Sequence, residues 1–106
     1  MARFRYRLSR HAVADLEEIA DYLNQRSTSA AHRVMGTFHN TFQFLAENRQ
    51  LGSSLDAVRH GLRMFIPSRP ADKYVVLYYQ TSDGVMISDV IHSARDWVGI
   101  VDRREP

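Results

Sequence analysis

Among its 106 residues the chain has no cysteine, a single lysine, a single tryptophan and three prolines. The lack of cysteine excludes a disulfide framework and thiolate chemistry of any kind, zinc-bound or free. No apolar run approaches the roughly 20 residues that span a bilayer, so no membrane association is expected. The opening stretch, MARFRYRLSR, alternates arginine with apolar residues and lacks the continuous apolar region of a secretory signal. A cytoplasmic protein is the expectation. A glycine-rich phosphate loop, an HExxH motif and a GxSxG elbow are also missing.

What is present is 44% hydrophobic and 25% charged, the balance of an ordinary globule. That length suffices for one domain, 1–106, with a modest core. The net charge is only +2, but arginine supplies every basic residue except Lys73. Guanidinium forks suit carboxylates and phosphates, which points to an acidic partner or a nucleic acid. A genome-wide arginine preference gives the same composition.

Phe4, Tyr6 and Leu8 alternate with Arg3, Arg5 and Arg7, the period-2 pattern of a half-buried strand. Ser9 is a candidate N-cap. Over 10–25, Ala12, Leu16, Ile19 and Leu23 recur at helical spacing, widened by Val13 and Ala20. Asp15, Glu17, Glu18 and Asp21 make the remainder an acidic outer side. A second helix is predicted over 29–48 with a stripe of Ala31, Val34, Phe38, Phe42 and Leu45; Phe44 lies off that stripe. So short a break between helices implies an antiparallel hairpin.

Then the period changes. Leu62, Met64 and Ile66 alternate with Arg63 and Phe65 until Pro67 and Pro70 end the strand. YVVLYYQ, 74–80, is apolar on both faces, as a central strand is. An Asp-Gly turn leads into a returning strand over 85–92. Residues 98–106 lose periodicity and are expected to form a flexible tail. The expectation is an α+β fold, β-α-α-β-β-β, with a helical hairpin on one face of a small, mainly antiparallel sheet and its other face less covered.

Candidate chemistry is sparse. His11, His32, His39, His60 and His92 are scattered. His32 and His39 share a helical face but lack a third ligand, so neither a metal nor a cofactor is expected. Arg63, His92, Arg95 and Asp56 contain the residue types of a metal-free ribonuclease: a titratable acid or base, and cations for the crowded phosphate. The same types can equally anchor a sheet edge. The residues alone leave both readings open.

LSRHAVADLEEIADYL, FLAENRQLG, GLRMF, KYVVLYYQ and VIHSARDW, taken in order, resemble the ParE toxins of the ParE/RelE superfamily over 6–97. The resemblance implies the toxin half of a bacterial type II toxin–antitoxin system and the same order of elements. RelE-like and YoeB-like relatives cut messenger RNA on the ribosome, whereas characterised ParE members poison DNA gyrase without known hydrolytic activity. The ribonucleases commonly place an arginine where Val75 follows Tyr74, and a tyrosine or histidine at the extreme C-terminus, which here reads VGIVDRREP. These departures favour gyrase inhibition through protein–protein contact. The alternative is a ribosome-dependent endonuclease using Arg63 and His92, and a third reading is a binding module descended from a toxin. Contact candidates are Arg63, Phe65, Phe44, Arg95 and Trp97. The implied partner is an acidic ParD-like antitoxin, ribbon-helix-helix at its N-terminus and disordered at its C-terminus. It would assemble with the toxin as a heterotetramer or larger and alone touch operator DNA.

Overall fold

Ser9 turns the chain from strand into helix. Its Oγ accepts from the Ala12 amide at 3.1 Å and donates to the Ser88 carbonyl at 2.7 Å. This is the side-chain cap that a serine offers the orphan amides of a first helical turn. The computed structural model describes residues 4–105, so Arg3, expected to open the first strand, lies outside it. Within it run β1 (Arg5–Leu8), α1 (Arg10–Asn24), α2 (Thr28–Glu47), β2 (Ser53–Ser54) and β3 (Arg63–Phe65). They are followed by β4 (Tyr74–Thr81), β5 (Gly84–His92) and α3 (Trp97–Arg103).

The strands form one five-stranded sheet in the order β1-β5-β4-β3-β2. β1 lies parallel to β5, with Arg5 opposite Gly84 and Leu8 opposite Ile87. All other neighbours are antiparallel. The α+β fold is thus the expected one, with two additions, β2 and α3. β2 has only two residues and carries no periodicity of its own.

The α1–α2 hairpin packs on one face. Phe38, Phe42 and Leu45 of α2 meet Val76, Tyr78 and Ile87 of the sheet, all at most 2% exposed. Each such side chain contributes about 1.5–3 kcal/mol by leaving water. Tyr78 is buried completely, yet its hydroxyl accepts from the Gly52 amide at 2.7 Å and donates to the Arg49 carbonyl at 3.0 Å. This pins the end of the α2–β2 connection beneath the sheet. A Cβ at Gly52 would stand 2.6 Å from that hydroxyl, so glycine is required by close approach.

The opposite face is not left open, contrary to expectation. Val75, Leu77 and Ile91 are buried there with Leu62 and Val101, flanked by Leu55, Val58, Trp97 and Ile100. α3 and the 55–62 loop are the cover. A strand apolar on both faces demands this, since bare Val75 and Leu77 would keep their apolar surface in water.

Where a flexible tail over 98–106 is expected, the structure places an anchored helix. Asp96 caps it by accepting from the Gly99 amide at 3.1 Å. Arg59 donates to the Val101 carbonyl at 2.8 Å and the Arg104 carbonyl at 2.6 Å, the cation-on-last-carbonyls arrangement that favours helix C-termini. His11 Nε2 lies 3.1 Å from the Glu105 carbonyl. Pro106 lies outside the described residues.

Two positions of α1 also differ from the sequence reading. Val13 is 40% exposed, outside the buried stripe. Asp15, assigned to the acidic outer side, is 5% exposed and faces the sheet. It is buried as part of an ion cluster: Arg104 forks onto both Asp15 oxygens at 2.9 Å and reaches Asp89 at 2.7 Å. Ser88 Oγ donates to the second Asp89 oxygen. Hydrogen bonding to Asp15, then to Asp89, holds the Arg104 pKa still higher than an ordinary guanidinium's, against the opposing effect of burial.

Candidate functional site

α1 carries apolar residues past the end of the sheet's cover. Ile19 and Leu23 are only half-buried and Tyr22 is 48% exposed. Across from them lie the first residue of β4, Tyr74, and the last turn of β5, Val90 and His92. Between the two runs an open groove of about 380 Å³. Its floor is apolar and its rim is cationic, carrying Arg26, Lys73 and Arg95.

The rim groups differ in how they are held. The Arg26 guanidinium lies 3.9 Å from the centre of the Tyr22 ring, a cation–π contact. Among the described residues, Lys73 and Arg95 have no side-chain hydrogen bond or ion pair. Glu18 is the one free carboxylate lining the groove, because Asp15, also at its wall, is spent on Arg104. His92 packs edge-on against Tyr74 at 5.4 Å and its Nδ1 accepts from the Ala94 amide at 3.1 Å. A neutral His92 with that bond carries its proton on Nε2. Burial, then the neighbouring Tyr22, pushes the Tyr74 phenol pKa up, so the ring presents a neutral hydroxyl. The apolar lining and the three cations are chemically suited to an apolar group flanked by negative charge.

The four residues of the ribonuclease reading do not converge. His92 and Arg95 both line the groove. Arg63 does not: it pairs with Tyr78, four residues along β4 from Tyr74, the partner of His92. At about 3.3 Å per residue and about 4.8 Å per strand, that is roughly 13 Å along the sheet and 10 Å across it. The Arg63 guanidinium is moreover committed, donating to the carbonyls of Gly52 at 2.6 Å and Gln50 at 3.2 Å. Asp56 is exposed in the 55–61 turn, where its carboxylate accepts from the Gly61 amide at 2.8 Å. That bond is the main reason its pKa lies below the usual aspartate value. Val75, standing where ribonuclease relatives carry arginine, is 1% exposed inside the second core cluster.

Of the remaining contact candidates, Phe44 and Phe65 come together. Phe44 is 50% exposed on α2, Phe65 is half-buried on β3, and with Thr37, Thr41 and Ser68 they line a second, uncharged groove of about 450 Å³. Trp97 is half-buried at the start of α3, packed on the second core cluster. The histidines are dispersed: His39 Nδ1 sits 2.6 Å from the Tyr6 hydroxyl and His60 stands 4.0 Å from Asp56. Among the described residues no group of His, Asp or Glu could hold a metal. No helix among them is long and apolar enough to cross a membrane.

Sequence reasoning missed Tyr22, Tyr74, Arg26 and Lys73 as groove residues. The available signal was the phase of α1: residues 19, 22 and 23 fall on one helical face, and Arg26 follows in the turn just after the helix ends.

No curated protein matches the chain. Among the solved structures that do match is a chain titled "Chromosomal ParDE TA system from P. aeruginosa", with a TM-score of 0.65 and 18% identity. The likeness covers 84% of this chain and 95% of that one, and at such identity it is a likeness of fold. Residues 6–97 match the family described as "ParE toxin of type II toxin-antitoxin system, parDE". That match runs from the middle of β1 to the first residue of α3 and takes in both helices and the sheet, so the chain belongs to the ParE toxins of type II toxin–antitoxin systems.

Proposed function

We propose that the protein is a cytoplasmic toxin acting by binding rather than bond cleavage, with DNA gyrase as target and an acidic, ParD-like antitoxin as neutralising partner. The observation that carries the non-hydrolytic half is the engagement of Arg63. A phosphodiester cleaver needs a base and a cation around one phosphate, within about 3 Å of the reacting atoms. Here the guanidinium is tied to two backbone carbonyls on a different part of the sheet from His92. Loss of one such transition-state contact lowers the rate about a hundredfold or more. The Phe44–Phe65 groove, with an aromatic half in water and no charge, is the surface offered to the target.

The test uses purified components. With gyrase, the protein is expected to block supercoiling and trap cleaved DNA; on translating ribosomes, messenger RNA is expected to stay intact. Cleavage in the ribosomal A site that disappears in His92→Gln would reverse the reading.

The antitoxin half rests on the α1–β5 groove. An amphipathic acidic segment lays its apolar side on Ile19, Leu23 and Tyr74, and its carboxylates meet Lys73, Arg95 and Arg26. Complementary charge of this kind mainly speeds encounter and makes it salt-dependent. Lys73→Glu with Arg95→Glu is therefore expected to weaken binding of an amphipathic acidic peptide by about tenfold or more at low salt. Most of the loss falls in the association rate, measurable by surface plasmon resonance across a salt series. Unchanged association at low salt would remove the groove from the proposal.

A further inference from the structure

We infer that Arg104 is a positioning residue for the α1–β5 groove, so that docking of the C-terminal segment and binding of an acidic partner are thermodynamically coupled through Asp15. The inference rests on the reading of that groove as a partner site, and it adds the device that sets the groove's width.

The geometry behind it begins at the edge of the sheet. β1 ends at Leu8, opposite Ile87, where the chain turns into α1, so the last residues of β5 have no neighbour strand on that side. Two side chains stand in for the missing strand. Ser9 Oγ takes the Ser88 carbonyl and the Asp15 carboxylate takes the Val90 amide at 3.0 Å. Asp15 is therefore the clamp between the middle of α1 and the groove end of β5.

The groove walls follow from that clamp. Ile19, Tyr22 and Leu23 lie four to eight residues beyond Asp15, about 6–12 Å along the helix axis. Val90, across the groove, is the residue whose amide Asp15 holds. The spacing between the walls is thus fixed at Asp15, and the same carboxylate is held in place by Arg104, which does not itself line the groove.

Arg104 is also the counterion that two carboxylates share, their side chains 6% and 2% exposed. Withdraw it, and Asp15 and Asp89 are buried charges without a counterion. Asp15 then regains water by moving outward with α1, and the groove changes width. Seating of 97–104 and competence of the groove are two views of one equilibrium. Linkage makes the effect reciprocal: a partner in the groove stabilises the seated C-terminal helix by the factor that seating strengthens the partner.

Three measurements test this. In the free protein, Arg104→Lys keeps a positive charge but loses the fork. Amide exchange over 19–23 is expected to accelerate several-fold in this variant. It is expected to stay at the wild-type rate in Tyr78→Phe, which weakens the core elsewhere. With a synthetic amphipathic acidic peptide as probe, Arg104→Lys raises its Kd about tenfold and Arg104→Met raises it further, whereas Tyr78→Phe leaves it unchanged. In the wild-type complex, amides over 97–104 exchange more slowly than in the free chain although α3 lies outside the groove. Equal exchange over 19–23 in Arg104→Lys and wild type overturns the inference. So does wild-type affinity in folded Arg104 variants. A probe that fails to bind even the wild-type chain counts against the partner reading; the free-protein exchange then decides the role of Arg104 by itself.

Discussion

Replacing Arg104 with methionine lowers the unfolding free energy by about 3–5 kcal/mol, the usual consequence of stripping the counterion from a buried pair. Methionine keeps most of the aliphatic stem, so the loss reports charge rather than packing. The magnitude follows from burial: the carboxylates left behind are 6% and 2% exposed, whereas the guanidinium itself is 22% exposed. Domains of this size hold about 5–15 kcal/mol in total, so the variant loses a large share of its stability. In urea the transition midpoint should fall with little change in slope, because the surface exposed on unfolding is nearly the same. A second replacement sharpens the result. Adding Asp15→Leu and Asp89→Leu removes the orphaned charges, and stability is expected to recover in part, as apolar substitutes for buried ion clusters commonly do. A loss under about 1 kcal/mol in Arg104→Met alone would mean that water already solvates these carboxylates.

The same cluster shows where the sequence was legible and where it was not. Strands and helices with long, clean periods were readable: α1 and α2 from the recurrence of Leu16, Ile19, Val34, Phe38 and Phe42, and β4 from its unbroken apolar run. Asp15 was misread because its chemistry overrode its phase. It stands three residues after Ala12 and four before Ile19, on the buried side, but a lone carboxylate offers no hint of an arginine 89 residues later. The ion pair that licenses its burial is invisible until the ends of the chain are brought together.

α3 had a signal too weak to use. Trp97, Ile100, Val101 and Arg104 follow helical spacing, but seven residues are too few for periodicity to separate from chance. A stronger clue lay in β4. Val75 and Leu77 face away from the helical hairpin, so something had to cover them, and the stretches without an assigned element included 55–61 and the C-terminus. The scattering of the ribonuclease candidates was hidden for a different reason. Arg63 and His92 look comparable as polar residues on strands of one sheet, and only the strand order and register show that β4 separates them and that they stand four β4 residues apart.

Gly84→Ala is expected to be the most damaging single-methyl change in the chain. Gly84 closes the two-residue turn between β4 and β5 with φ at +155°, a conformation that side-chain-bearing residues rarely adopt. It also sits opposite Arg5, the first residue of β1. An ideal Cβ there would stand 1.7 Å from the Arg5 carbonyl oxygen and 2.8 Å from its amide nitrogen. Both obstacles are backbone, so no side-chain rotation relieves them, and either β1 or the turn must shift. If β1 shifts, the Arg5 amide loses its 2.8 Å bond to the Asp83 carbonyl, and the seating of Tyr6 on Phe42 and His39 is disturbed. Backbone strain of about 1–3 kcal/mol together with disrupted strand pairing puts the loss at about 3 kcal/mol or more. Gly36→Ala is the matched control. Gly36 lies inside α2 with nothing within 4 Å of the added Cβ, so alanine there is expected to stabilise by about 0.5–1 kcal/mol. Thermal unfolding of the two variants side by side should move in opposite directions, and in Gly84→Ala the amides of 5–8 should exchange fastest. Equal melting temperatures for Gly84→Ala and wild type would show that β1 does not lie against the turn as described.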